Sequence, residues 1–538
     1  MVKRLPDLKV RKFRASWQDS LPAIIAFLLI AALGLLSALK GFSQQTTFQK
    51  IIGTYAYDAH KVVKGNGYVF GGISSKLWPP NQRNSYVVRT DVNCDTLWTS
   101  CWGGTIGSCD QQYINDLSPL SDGGVLANGG KGVCGDTTKG GTIARLDANG
   151  NVKWAKSFSR NCDPYPCLQS SDGNFISGGY ISAAGTGFNG PKDAYMSKID
   201  SATGDTIWSR SYGGAGNTNW FYHILQTSDG GYLAAGETNS FGQGGLDIYL
   251  VKTDANGNLM WSKTYGTAAF SESAFGHCLQ ATSDGGYILA GSSGATQGIF
   301  LMKVDAGGNM SWAKYYDGSY AHAVRQTPDG GYILTGEGKG YAVLIKTDGS
   351  GNVHWSKSYG AGQEQGLILE LASDGGYIAG GTTKSWGQGL YIVKTDSVGH
   401  SGCNETSPVI TSSVAPFIAA TAATQVTKGP NTVSYPFLFG RGATITNLCS
   451  TVGVPEFPAN TNAGPVIVYP NPGAGMFNLK GGLSFQYTVY TILGELVWSS
   501  KVATDLYQLD LRGYANGIYL LRGTDGHNVV EQKLIIEK

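Results

Sequence analysis

Across residues 228–266 short apolar runs alternate with breaks rich in Gly, Asn and Asp: SDGGYLAAGETNSFGQGGLDIYLVKTDANGNLMWSKTYG. Tyr232–Glu237 is one apolar run. In the next, Ile248, Leu250 and Lys252 alternate with Tyr249, Val251 and Thr253. Leu259–Tyr265 carries Trp261 between polar neighbours, and His223–Thr227 precedes the first break. Each run has the length of a strand, and none is long enough for a helix. Asp229-Gly230 predicts a two-residue hairpin turn, because a primed turn needs the positive φ that Gly adopts easily. Asn256-Gly257 predicts a second turn. The stretch therefore reads as four strands in an antiparallel meander.

The pattern repeats. The DG(G/N) turn recurs at Asp122, Asp172, Asp229, Asp284, Asp329 and Asp374, with a degenerate form at residues 65–68. A basic-x-Asp element closes the third run at Asp91, Asp147, Asp200, Asp254, Asp305, Asp348 and Asp396. A tryptophan marks the fourth at Trp98, Trp154, Trp208, Trp261, Trp312 and Trp355. A period of roughly fifty residues with four strands per unit is that of a β-propeller blade. The expected fold class is all-β: a seven-bladed β-propeller of four-stranded antiparallel blades over residues 44–405. The tryptophans are expected between blades, where one large flat side chain per repeat fills the gap.

The seventh repeat lacks its tryptophan strand. At the other end of the chain, Phe48–Gly53 aligns with Trp261–Gly266 and has no repeat of its own. It is expected to pair antiparallel with Leu390–Thr395 and so cover an open strand edge. Its loss should lower stability more than loss of the segment that follows the repeats.

Composition adds export. Residues 1–43 read as a signal peptide, with Lys3, Arg4, Lys9, Arg11, Lys12 and Arg14 ahead of the apolar run Leu21–Leu39. That run could also span a bilayer uncleaved. Net charge is +2 and the basic residues are scattered, so no nucleic-acid partner is expected. Nine cysteines fit an oxidising compartment, and Cys403 and Cys449 could pair. Cys94, Cys101, Cys109, Cys134, Cys162 and Cys167 crowd into the early repeats. Residues 406–465, rich in Thr, Ser, Ala and Pro, read as an extended linker.

Residues 466–538 alternate over seven short runs, which predicts a small C-terminal β-sandwich. YPNPGAGMFNL, TILGELVW, LDLRGYANGIYLL and the terminal EQKLIIEK resemble, in that order, the type A C-terminal sorting domain of the type IX secretion system of Bacteroidetes-type bacteria. The resemblance implies passage through the periplasm and across the outer membrane. It further implies the secretion machinery as a partner, and release or anchoring at the cell surface. The repeats resemble the DGGY…KTD…W propeller repeats of such exported proteins, a group without one assigned activity.

Chemistry is sparse. The chain has no G-x-S-x-G, H-E-x-x-H or Walker motif. Asp147–Asn151 and Asp254–Asn258 resemble the start of calcium loops, but they lie where each blade needs a turn. His60, His223, His277 and His322 precede their DG turns by six or seven residues, on the presumed innermost strands. A ring of histidines there could gather a metal. Their one-residue offset, however, sends side chains to opposite faces of a strand. No catalytic, metal or cofactor-binding residue is assigned, no cofactor is expected, and the ligand-binding residues stay unknown. The expected function is a non-catalytic binding or structural module, monomeric, with an extracellular glycan or protein as ligand. The alternative is a glycan-active enzyme with its site at a channel mouth in the early blades, around residues 74–83 and 161–166.

Overall fold

The computed structural model describes residues 47–53, 67–74, 84–103, 111–132, 139–159, 161–183, 190–214, 218–294, 298–385, 389–434, 438–440, 444–447, 467–471, 473–480, 485–491, 496–502, 506–524 and 529–538. The expected signal peptide and His60 lie outside them. Among the described residues the regular elements are all strands. The chain divides into two compact units between Cys449 and Ser450.

Seven sheets follow one another along the first unit. The first holds Tyr68–Ser74, Asn84–Thr90 and Thr96–Gly103. The second holds Asp116–Pro119, Val125–Gly129, Lys139–Leu146 and Val152–Ser159. The third holds Cys162–Gln169, Phe175–Ser182, Lys192–Ile199 and Thr206–Gly213. The fourth holds Asn219–Gln226, Tyr232–Thr238, Asp247–Thr253 and Leu259–Gly266. In the fifth, Glu272–Ser273 and Leu279–Ala281 share the first position, before Tyr287–Ser293, Gly298–Val304 and Met310–Tyr316. The sixth holds Tyr320–Gln326, Tyr332–Gly338, Tyr341–Thr347 and Val353–Tyr359. The seventh holds Ile368–Leu371, Tyr377–Thr383 and Gly389–Thr395, completed by Phe48–Gly53. Phe48 stands opposite Lys394 and Ile52 opposite Leu390, antiparallel as the alignment of the two chain ends requires.

The turns differ from the primed type expected. Thr227 N–H donates to Gly231 O and Gly230 N–H to Thr227 O, which makes a three-residue loop. Only Gly230 takes a positive φ, at 81°. A type I turn followed by a left-handed glycine satisfies the same hairpin, and Asp229 does not have to enter the left-handed region. Asp229 Oδ1 instead accepts from Gly231 N–H and Thr227 Oγ1.

The two repeated motifs meet as ion pairs. Arg145–Asp122, Lys198–Asp172, Lys252–Asp229, Lys303–Asp284, Lys346–Asp329 and Lys394–Asp374 lie 2.5 to 2.9 Å apart. Each pins the first turn of a sheet to the end of its third strand.

The tryptophans join neighbouring sheets. The indole of Trp261 lies so close to Gly308 of the fifth sheet that a Cβ there would meet the ring at 2.8 Å. Trp98 sits likewise on Gly150, Trp154 on Gly204, Trp208 on Gly257, Trp312 on Gly351 and Trp355 on Gly399. Seven apolar cores lie between successive sheets. The last packs Phe48, Leu390 and Ile392 of the seventh sheet against Phe70, Tyr86 and Val88 of the first. A buried side chain of this size contributes about 1.5–3 kcal/mol, so each junction carries several such terms.

The linker expected over residues 406–465 is corrected for its first part. Glu405–Thr406 pairs with the fourth strand of the sixth sheet, Ser412–Val414 with the fifth, Ile418–Thr421 with the fourth and Gln425–Lys428 with the third. Thr432–Ser434 then pairs with the second, Leu438–Gly440 with the first and Thr444–Asn447 with Phe48–Gly53 of the seventh. The segment is a strap that adds an outer strand to every sheet in turn. Ala415 and Phe417 enter the core between the fourth and fifth sheets, and Ala422 the one between the third and fourth. The exposed backbone of seven outer edges provides the hydrogen-bonding groups, and covering it removes a template for aggregation.

In the second unit Ile467–Tyr469, Met476–Lys480 and Leu506–Asp510 form one sheet. Leu496–Val502, Phe485–Thr491, Gly517–Thr524 and Val529–Ile536 form another. Phe477, Leu479 and Leu509 share one core with Tyr487, Val489, Leu521 and Leu534.

Candidate functional site

In a four-stranded meander the first and third turns share one end. The other end, here the mouth, carries the second connection and the passage to the next sheet. At the turn end the carboxylates are already occupied. Asp254 Oδ1 accepts from Asn256 and Asn258 N–H at 2.8 Å, and Oδ2 accepts from Asn258 Nδ2 at 2.7 Å. Asp147 holds Asn149 and Asn151 in the same way. The calcium-like stretches are therefore hairpin turns.

The mouth is built from two positions of the first strand and one at the end of the second. Nine residues before the DG aspartate stand Tyr113, Asp163, Trp220, Phe275, Tyr320 and Gln365. Seven before it stand Asn115, Tyr165, Tyr222, His277, His322 and Leu367. Across the ladder, Asp163 faces Tyr180, Trp220 faces Glu237 and Tyr320 faces Glu337. The register shifts between Pro164 and Cys167, Phe221 and His223, and Ala321 and Ala323. In the fifth sheet the first strand breaks between Ser273 and Leu279. Bulges re-aim side chains, and the bulged residues converge. The Tyr222 and Phe275 centroids are 4.7 Å apart, Tyr165 and Tyr222 5.2 Å, and Phe275 and His322 5.6 Å. Beside them Tyr180 stacks on Trp220 at 4.9 Å, with Lys192 over both rings.

Above this aromatic floor lies a cavity of about 460 Å³, with Glu237, Ser273, Ser292, Tyr320, Glu337 and Gln365 among its walls. A second cavity of about 330 Å³ shares Ser273, Ser292 and Tyr320, and a third of about 300 Å³ shares Glu337 and Gln365. Together they form one trough of mixed polar and apolar lining across the fourth to seventh sheets. It does not lie in the early repeats, where sequence reasoning placed an enzyme's site. Of those early stretches, residues 161–166 supply Asp163 and Tyr165 to the mouth, and residues 75–83 lie outside the described residues.

Burial sets the protonation of the carboxyls. Asp163 is pushed up to about 7 by loss of water, although hydrogen bonds from Tyr113, Asn115 and Tyr180 oppose the shift. Glu237 is raised for the same reason. Tyr222 Oη donates to one of its oxygens at 2.9 Å and Ser273 Oγ to the other at 2.5 Å.

The offset histidines do not point apart as their spacing suggested, because the bulges absorb the extra residue. His223 and His277 meet edge to face at 5.6 Å. His277 Nε2 lies 3.6 Å from the buried Asp116 carboxylate, and His322 packs on Phe275. Among the described residues no three His, Cys, Asp or Glu side chains gather as a metal site. Cys94 and Cys278 are buried free thiols. Cys403 is disulfide-bonded, and Cys109, Cys134 and Cys449 lie outside the described residues.

Glu237 and Glu337 were missed in the sequence, which offered no carboxyl pair outside the turns. The signal was present: both follow the GGY tyrosine by five residues, where other repeats carry Tyr180, Ser292 or Thr382.

Residues 467–537 match the secretion system C-terminal sorting domain. That domain directs export by the type IX route, to the cell surface or the medium. No curated protein matches the chain. Among solved structures, a Bacteroides caccae protein of unknown function is 12% identical over 58% of this chain and 93% of that one, with a TM-score of 0.33. PorZ, a surface component of the type IX system of Porphyromonas gingivalis, is 10% identical over 90% and 75%, with a TM-score of 0.30. Drosophila Plexin A in complex with Semaphorin 1b is 9% identical over 66% and 87%, with a TM-score of 0.35.

Proposed function

We propose that the first unit is a seven-bladed β-propeller that serves outside the cell as a non-catalytic binding module. The observation that carries this is the mouth trough, a concave seat over an aromatic floor with carboxyl, hydroxyl and amide side chains on its walls. Seven cores in cyclic order, with Phe48 in the last, support the ring. Coverage of every outer edge by the strap supports a monomer. The second unit would engage the secretion machinery, and the trough an extracellular ligand.

A second reading is a glycan-active enzyme. It is favoured by one observation: Glu237, raised by burial, faces the same cavity as Glu337, and glycoside hydrolysis uses a pair of carboxyl groups. Against it, both carboxylates already act as acceptors, Glu237 from Tyr222 and Ser273 and Glu337 from Gln365. The test pairs two assays on the secreted protein. One measures turnover of chromogenic glycosides, esters and peptides; the other measures capture on glycan and protein arrays. Capture that Tyr320→Ala abolishes, without turnover, is expected. Turnover abolished by Glu237→Gln or Glu337→Gln would overturn the reading.

A further inference from the structure

We infer that the mouth trough binds an uncharged oligosaccharide, with one sugar ring lying on Tyr320 and its hydroxyls held by Glu337 and Gln365. The inference rests on the trough being a ligand seat and names the ligand class.

A sugar ring presents an apolar C–H face and a rim of hydroxyls. It is met by an aromatic face beside planar polar groups that accept and donate in pairs. Tyr320 supplies the face. It is 54% exposed although it belongs to the aromatic group at the mouth, with His322 6.3 Å away. Directly across the ladder stands Glu337. Gln365 Nε2 donates to Glu337 Oε2 at 3.2 Å, and Thr382 Oγ1 donates to Gln365 Oε1 at 3.1 Å. The carboxylate and the amide are thus held in place before a ligand arrives, which lowers the cost of ordering them. Each retains acceptor or donor capacity beyond these bonds.

The shape and charge of the trough narrow the class. Ser271, Ser273, Ser292 and Ser319 are among its lining residues. The adjoining cavities extend it on both sides of Tyr320 and Glu337, which suits a chain of sugars better than a single unit. Of the three cavities, the one of about 460 Å³ is walled by two glutamates and, among the described residues, by no Lys or Arg, while the third carries Lys384 beside Glu364. An anionic polymer would meet like charge there. A simple cation would need the carboxylates alone and would leave the lining serines and the length of the trough unused.

The experiment is calorimetric titration of the full-length secreted protein at low and high salt. The probes are cellohexaose, xylohexaose, mannohexaose and maltohexaose, with polygalacturonate and hexalysine as charged controls. At least one neutral oligosaccharide should bind with an affinity that salt leaves unchanged, since no ion pair is screened. Tyr320→Ala and Glu337→Gln should each weaken it by about tenfold or more at an unaltered melting temperature. The first change removes a half-exposed ring and the second keeps the side chain's shape, so neither threatens the fold. Preference for a charged probe, binding indifferent to both variants, or silence toward all four sugars would each overturn the inference. If silence came with array capture that Tyr320→Ala abolishes, the seat would stand and only its sugar would fall. Sugar hydrolysis lost in Glu237→Gln would instead overturn the binding module itself.

Discussion

The ammonium of Lys50 lies 2.8 Å from the carboxylate of Asp95. The contact joins the seventh sheet to the first, and its counterparts join other neighbours. Lys156 reaches Asp205 at 3.1 Å, Lys263 reaches Asn309 at 2.7 Å, and Lys357 reaches His400 at 3.2 Å. Each basic residue lies two places beyond the strand's tryptophan, or beyond Phe48 where the first strand takes its place. The N-terminal strand therefore makes the same junction as a fourth strand contributed from within the repeats.

Deleting residues 44–53 should lower the melting temperature and promote association, because it opens an edge and removes Phe48 from a core. Deleting residues 406–447 should do the same. This departs from the sequence-based ranking, which treated that segment as a linker. Calorimetry and size-exclusion chromatography check both. A strapless protein with unchanged melting and a monomeric profile would contradict the role given to the strap.

Two adjacent glycines test the left-handed turn position that the indole covers. Gly308 has φ at 75°, and an added Cβ would meet Trp261 at 2.8 Å. Gly308→Ala should cost about 1–3 kcal/mol. At Gly307 the nearest atom to such a Cβ is 3.4 Å away, so Gly307→Ala should fall within about 1 kcal/mol of the parent. Equal urea midpoints for the two variants would contradict the combined backbone and packing demand at Gly308.

Stability should respond to pH with two opposite signs. Lys252 holds Asp229 at about 2, and Thr282 with Lys303 holds Asp284 at about 2. These lie below the unfolded value of about 3.9. Their contribution is present above pH ~4 and is lost as pH falls toward 2. Asp163, raised to about 7 by burial, acts the other way. Its contribution is present below pH ~4 and is lost as pH rises through 7. Asp163→Asn should flatten the slope of unfolding free energy between pH ~4 and 7. Urea titrations across that window decide it, and superimposable slopes would contradict the assignment.

Peptide mapping without reductant should find Cys403 joined to Cys449. Gln49 Nε2 donates to the carbonyl of Cys403, and the neighbouring Lys50 stands opposite Asn447. The two ends of the strap are thus drawn to one strand. Recovery of Cys449 as a free thiol would refute the pairing.

Removing residues 467–537 should leave a folded first unit inside the cell envelope, since the sorting domain carries the export signal and forms a compact unit of its own. Fractionation with an antibody to the first unit reads this directly. Wild-type levels in the medium or on the surface would count against it.

The repeat was legible because holding residues recur. Asp229 with Lys252, and Trp261 with Gly308, satisfy the same backbone and packing needs in sheet after sheet. The mouth was harder to read. A bulge between Phe221 and His223 changes which residue faces inward without marking the sequence, and the site residues differ between repeats by the nature of a site. The strap stayed hidden for another reason. Ser412–Val414 and Thr432–Ser434 are three residues each, and the first of them is exposed throughout. Backbone hydrogen bonds to distant edges define them, and these leave almost no apolar period.

The separation of Lys252–Asp229 and Trp261–Gly308 from Trp220, Tyr222 and Glu237 has a consequence for how such a protein can change. The joints lie toward the turn end, and the variable side chains lie at the mouth. A duplicated repeat brings its own lock and wedge whatever it carries at the three mouth positions. Those positions can then be exchanged one repeat at a time, and no exchange alters a joint. The frame is modular in inheritance: mutation can vary the side chains at the mouth while the stability of the seven sheets stays in the hands of other residues.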